Sequence, residues 1–190
     1  MTFHAFLILD YAITKPVRIE KGKLQSTIQN FGPEYSVSFE FKIKSWRSNI
    51  WCSIIRVTSK AGNCCQHGQR YLALWTKRGS SDTIMFTASV ATRGAYNVYH
   101  DPFKVNKWYR VVLSQKPIDG LLFYEIYVDD FLVSSIPNTS PMDPQEVKIY
   151  IGDRYHTAAN GEVRNLYHVP GRYKLGKRSM FLTSVRILPV

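Results

Sequence analysis

The sequence predicts an all-β protein, an antiparallel sandwich of two sheets with little helix. Runs of alternating apolar and polar residues recur at about 10 to 15 residue intervals, with Gly, Pro, Asn and Asp between them and no helical segments. Aromatic residues make up 14% of the chain, with 12 Tyr and 10 Phe, and with the β-branched residues they suit a pleated, half-buried surface. No stretch sustains the apolar period of an amphipathic helix. At 190 residues the chain fits one domain that buries a sizeable core without metals or staples.

Residues 1–16, MTFHAFLILDYAITKP, hold one apolar run, Ala5–Leu9, bounded by His4 and Asp10. It has no basic lead-in, a short apolar centre and no small-residue cleavage pattern, so it reads poorly as a signal peptide and cannot span a membrane. An N-terminal extension or an edge strand is expected there, and no other stretch approaches a transmembrane length. Val17–Ile28 carries a Gly22 turn. Tyr35–Lys44 is the cleanest amphipathic strand, with Tyr35, Val37, Phe39, Phe41 and Ile43 on one face and serines, Glu40 and lysines on the other. Trp46–Val57, Arg70–Thr76, Thr83–Val90 and Ala95–Tyr99 continue the series.

The best-supported local structure is a three-stranded meander over Trp108–Gln115, Leu121–Val128 and Phe131–Ser135. A Pro117/Asp119/Gly120 turn joins the first pair, and Asp129-Asp130 is short enough for a two-residue hairpin. The central strand carries Leu122, Tyr124, Ile126 and Val128 on one face and Phe123, Glu125 and Tyr127 on the other, so its second face is only partly exposed. Three prolines over Ile136–Pro144 make that stretch a loop, and Asn138-Thr139-Ser140 within it is a formal glycosylation sequon. Val147–Ile151 and Val163–Tyr167 follow. Beyond Pro170, Phe181, Thr183, Val185 and Ile187 alternate with Leu182, Ser184, Arg186 and Leu188, which suits an extra strand or a connector.

The meander motif (Trp108, Val111, Leu113, Gly120, Ile126, Val128, Asp129, Asp130, Val133) resembles the late strands of laminin-G-like and concanavalin-A-like domains. GQRYLALW at Gly68–Trp75 and EVKIYIGDRYHTAANGEVRNLYH at Glu146–His168 are similar to their flanking strands. The resemblance selects the jelly roll among sandwiches, and assigns residues 17–168 to the domain and 169–190 to a C-terminal extension. It implies an extracellular setting, and a fold that hosts lectins, adhesion modules and glycoside hydrolases alike. It also implies calcium as a candidate cofactor held by Asp side chains, with Asp153 the best single ligand and Asp101 next; one carboxylate is not a site.

The formal charge of +11, from 25 Lys and Arg against 14 Asp and Glu, favours anionic partners such as acidic glycans. The basic residues are dispersed, which equally suits a plain soluble surface, and no helix-turn-helix, zinc-finger or ribonucleoprotein motif points to specific nucleic-acid binding. Of the three cysteines, Cys52 and Cys64 permit a bridge across a hairpin, with the third thiol buried or linking two chains in a dimer. A vicinal Cys64–Cys65 bond is the third arrangement. No Cys or His spacing fits zinc.

A jelly-roll glycoside hydrolase needs two carboxylates projecting into one cleft. The E-x-D-x-x-E spacing is absent, the nearest clusters being Glu125 with Asp129 and Asp130, where turn formation is the plainer reading, and Glu146 with Asp153. Scattered histidines and the absence of G-x-S-x-G argue against nucleophilic catalysis. Sugar binding asks for an aromatic face and planar polar groups. Arg70, Trp75, Tyr96, Asn97, Asp153, Tyr155 and His156 supply them, although Trp75 suits the core and Tyr155 a sandwich edge equally well. The expected function is therefore a non-enzymatic, lectin-like module binding glycans or a glycosylated protein. A structural adhesion or matrix domain is the alternative, and a divergent glycosidase the third reading.

Overall fold

The computed structural model describes residues 11–171, which form fourteen strands and no helix. The first seven are β1 (Tyr11–Ile13), β2 (Val17–Arg18), β3 (Leu24–Gln29), β4 (Tyr35–Ser45), β5 (Cys52–Thr58), β6 (Leu72–Thr76) and β7 (Ile84–Val90). The others are β8 (Arg93–His100), β9 (Tyr109–Ile118), β10 (Leu121–Val128), β11 (Phe131–Pro137), β12 (Glu146–Ile151), β13 (Thr157–Ala158) and β14 (Asn160–Pro170). One sheet runs β1-β14-β4-β9-β10-β11 with β2 also on β14; the other runs β3-β12-β5-β6-β7-β8 with β13 on β5. All pairings are antiparallel except β13 on β5. The expected all-β, antiparallel two-sheet sandwich is what forms.

The core lies between the sheets, where alternate residues of each strand meet. In β4 the odd-numbered residues Tyr35 to Ile43 are buried and face Leu72, Leu74, Phe86 and Ile149 of the opposite sheet within one apolar cluster. The chain crosses from the first sheet to the second at Gly22, in a positive-φ turn whose N–H donates to the Gly152 carbonyl. The crossing explains why Val17–Ile28 is two strands and not one.

Both meander turns have two central residues at positive φ, Asp119-Gly120 and Asp129-Asp130, as a two-residue hairpin matched to strand twist requires. Pro117 lies in β9 and not in the turn. It pairs with Leu122 on one side only, because β4 accompanies β9 no further than Gln115, so its missing N–H breaks no second ladder. Trp46–Ile50 is a loop, not strand, closed by an Ile50 N–H to Arg47 carbonyl bond.

Two points that the sequence leaves open are decided by the fold. Asn138 is not displayed for glycosylation: it is 6% exposed, its Nδ2 donates to Gln115 Oε1 at 2.6 Å, and its Oδ1 accepts from the Ala91 N–H at 2.7 Å. The Cys52–Cys64 bridge is replaced by a vicinal Cys64–Cys65 disulfide, while Cys52 is a free thiol buried in the core side of β5. This leaves no exposed thiol among the described residues for a disulfide-linked dimer. The Ala5–Leu9 run and the Phe181–Leu188 alternation lie outside the described residues. No helix among those described is long and apolar enough to cross a membrane.

Candidate ligand-binding site

The site is built on the outer face of the second sheet. Strand register sets Tyr150, Arg56, Ala73, Thr87 and Asn97 side by side across β12, β5, β6, β7 and β8. Ser53, Trp75, Met85 and Tyr99 form the next row. Loops 59–71 and 152–159 roof the half over β5 and β6, whereas Asn97 and Tyr99 on β8 stay exposed. This roof is why β5 and β6 are buried at every position in place of the alternation of a one-sided sheet.

Arg56 holds the roof. Its guanidinium is 2% exposed, pairs with the fully buried Asp153 carboxylate at 3.2 Å, and donates to the carbonyls of Gly62 at 2.6 Å and Gln69 at 3.0 and 3.2 Å. Asp153 Oδ1 in turn accepts from the N–H groups of Tyr155 at 2.5 Å and His156 at 3.0 Å, fixing the second loop. A buried ion pair whose remaining groups are all hydrogen-bonded organises structure more than it adds net stability. This arrangement corrects the calcium expectation: the Asp153 oxygens point at donors, and a cation there would have to displace the guanidinium. No group of three acidic, histidine or cysteine residues arranged for a metal exists among the described residues.

Five of the seven sequence-predicted residues converge. The Arg70 guanidinium lies 5.2 Å from the Trp75 ring centroid, Trp75 meets the His156 ring edge-on at 4.4 Å, and His156 Nδ1 is 3.3 Å from Asp153 Oδ1. Tyr155 lies 5.3 Å below Arg56 and its hydroxyl accepts from the Gly62 N–H at 3.0 Å. Trp75 and Arg70 are 2% and 6% exposed, so they form the floor of the site and not a sugar-stacking surface. Burial, then the neighbouring Arg56 charge, lowers the Arg70 pKa to about 10, with Asp153 opposing. Asn97 shares the face but sits on β8, against Thr87. Tyr96 faces the other way: it packs on the core and its hydroxyl lies 3.1 Å from Ser134 Oγ of the opposite sheet.

Beside this cluster a pocket of about 90 Å³ opens between the two loops, lined by Arg56, Thr58, Lys60, Lys148, Tyr150, Arg154 and Tyr155 among others. Four of these side chains are cationic. Asp153 neutralises Arg56, and Glu146 pairs with Lys148 at 3.1 Å. Lys60 and Arg154 have no acidic partner among the described residues, so the pocket carries surplus positive charge flanked by two phenol rings. Of its lining only Tyr155 was singled out from the sequence. Lys148 and Tyr150 carried a signal, their alternation with buried Val147, Ile149 and Ile151, which turns both to the outer face.

In both clusters named for hydrolysis each carboxylate is engaged by a partner of its own. Glu125 on β10 binds Lys116 at 2.8 Å and the Tyr127 hydroxyl at 2.7 Å, Asp129 and Asp130 pair with Lys107 and Arg110, and Glu146 pairs with Lys148 while Asp153 pairs with Arg56.

No family model matches the sequence, and no curated protein matches it. The fold matches solved structures of binding domains. A point variant of HCR/D aligns at TM-score 0.55 and 16% identity, over 87% of this chain and 42% of that one. The binding domain of botulinum neurotoxin DC, solved with rat synaptotagmin II, aligns at 0.51 and 15%, over 78% and 37%. The botulinum neurotoxin serotype G binding domain aligns at 0.51 and 10%, over 86% and 43%. The chain thus spans about two fifths of the structures it matches, and at these identities the likeness is one of fold. It also overturns the laminin-G-like and concanavalin-A-like resemblance as a family assignment. The Gly120 turn and the Asp129-Asp130 turn are what antiparallel hairpins need in general, and Trp108, just ahead of β9, packs under Lys42 and Arg164, so they mark the sandwich and not a lineage.

Proposed function

We propose that this chain is a non-enzymatic, extracellular binding module that recognises an anionic glycan, free or on a glycosylated receptor, through the pocket between loops 59–71 and 152–159. The observation that carries the reading is the surplus charge of Lys60 and Arg154 beside Tyr150 and Tyr155. A sulfate or carboxylate would meet two uncompensated cations, and the rings offer apolar faces to the sugar. The fold likeness to neurotoxin binding domains supports a binding role, and the disulfide supports an oxidising compartment.

An array of neutral, sialylated and sulfated glycans at low and physiological salt tests it. Retention of an acidic class at physiological salt, reduced about tenfold by K60A/R154A, is expected. Binding that vanishes with salt, or is indifferent to that variant, would mean that the +11 charge acts without a pocket. A protein-binding role has its own observation: the edge strand β11 exposes Phe131 at 77% and Leu132 at 53%. An F131S/L132S change that abolishes receptor binding while leaving glycan binding intact would favour it.

A further inference from the structure

We infer that the Cys64–Cys65 disulfide is a thiol-responsive clamp on the roof of this pocket, so that a dithiol reductant loosens the pocket. Its consequence for ligand affinity rests on the glycan reading above; its mechanics rest only on the loop. Both cysteines are exposed and sit at the loop tip. Just before them, Asn63 takes the Arg70 Nη2 donor on its carbonyl at 2.9 Å, and Gly62 is tied to Tyr155 by its N–H and to Arg56 by its carbonyl. Lys60 and Ala61, one step further back, are pocket wall. Just after them, the Gln66 N–H donates to Gln69 Oε1 at 3.1 Å, and Gln69 Nε2 returns to the Ala61 carbonyl at 2.8 Å. Pocket wall, buried guanidiniums and disulfide are therefore consecutive links of one short chain segment.

The backbone at the tip is unusual in two ways. Cys65 holds φ at 78°, a left-handed conformation that a β-carbon makes unfavourable. Its carbonyl lies against Gly94 of β8, where there is no room for a side chain. The bond between adjacent residues restricts the dihedrals on both sides of their shared peptide. Once it opens, Cys65 can leave the positive-φ region, and the carbonyl bonds that close the roof lose their fixed tip.

The exchange balances. One thiolate of the reductant attacks a protein sulfur and expels the other as a thiolate; the second reductant thiol then displaces the first cysteine, forming the reductant's cyclic disulfide. Two electrons and two protons pass to Cys64 and Cys65. Cys52 is no resolving partner, being buried in the core with its thiol pushed up chiefly by desolvation.

Amide hydrogen exchange on the full chain, with and without dithiothreitol, tests the clamp. Titration of the unfolded protein should find the one free thiol before reduction and all three cysteines as thiols after it. Expected on reduction is about tenfold faster exchange at Gly62, Gln66 and Gln69, with β10 unchanged, and a comparable fall in affinity for a sulfated oligosaccharide. C64S/C65S should match the reduced protein and ignore the reductant. Unchanged exchange at those amides despite confirmed reduction overturns the clamp. Faster exchange in a protein that binds no sulfated oligosaccharide in either state upholds the clamp and removes the ligand reading.

Discussion

Asp153 and Arg56 show how much one pair decides. Asp153→Ala would strand a buried guanidinium and release both roof loops, so a loss of about 3–5 kcal/mol in urea unfolding is expected. The sequence shows Asp153 as an acid in a glycine loop, a position that suits metal ligation as well as pairing. Its partner lies 97 residues away, in the middle of a buried strand. A charge inside CSIIRVT was a visible anomaly, but sequence order says nothing of which acid answers it. Asn138 is the converse case. A legible modification motif is consumed by tertiary hydrogen bonds, so expression in a glycosylating host should return an unmodified mass for the peptide spanning it.

At the scale of elements, the strands were readable wherever one face meets water. The alternation of β4 appears in its burial residue by residue, and the two-residue turns of the meander were legible from Asp and Gly. The strands under the roof were legible as strands but not as a site, because their second face is hidden by loops that local patterning does not describe. The junctions there depend on glycine for space. At Gly152, with φ at 85°, a β-carbon would collide with the Glu20 backbone where the chain crosses between sheets. Gly152→Ala should therefore lower the melting temperature markedly, whereas Gly79→Ala, with open space around it and φ at 82°, should show only its backbone cost of about 1 kcal/mol. Thermal unfolding of the two variants side by side checks this.

For the molecule as a whole, buried phenols fix the alkaline limit. Desolvation raises the pKa of Tyr35, Tyr71, Tyr124 and Tyr127 in the folded state, with the Glu125 carboxylate adding to Tyr127. In the unfolded chain phenols ionise at about pH 10, so above that pH the folded state binds more protons and stability falls as pH rises. Arg70, lowered to about 10, acts in the opposite sense over the same range, since there the unfolded state binds the extra proton. Four phenols against one guanidinium give a net loss. Urea midpoints should hold steady to about pH 10 and then decline, and a midpoint that rises would contradict this balance.

The first and last strands described are neighbours: Tyr11 is the register partner of His168, and Ile13 of Leu166. The two ends of the described segment thus lie together at an edge of the first sheet, while the pocket is carried by the outer face of the second. Ends so placed suit insertion as a cassette. Residues 11–171 spliced into a surface loop of an unrelated host, with only a short spacer at each junction, should keep their shape and present the cationic pocket outward.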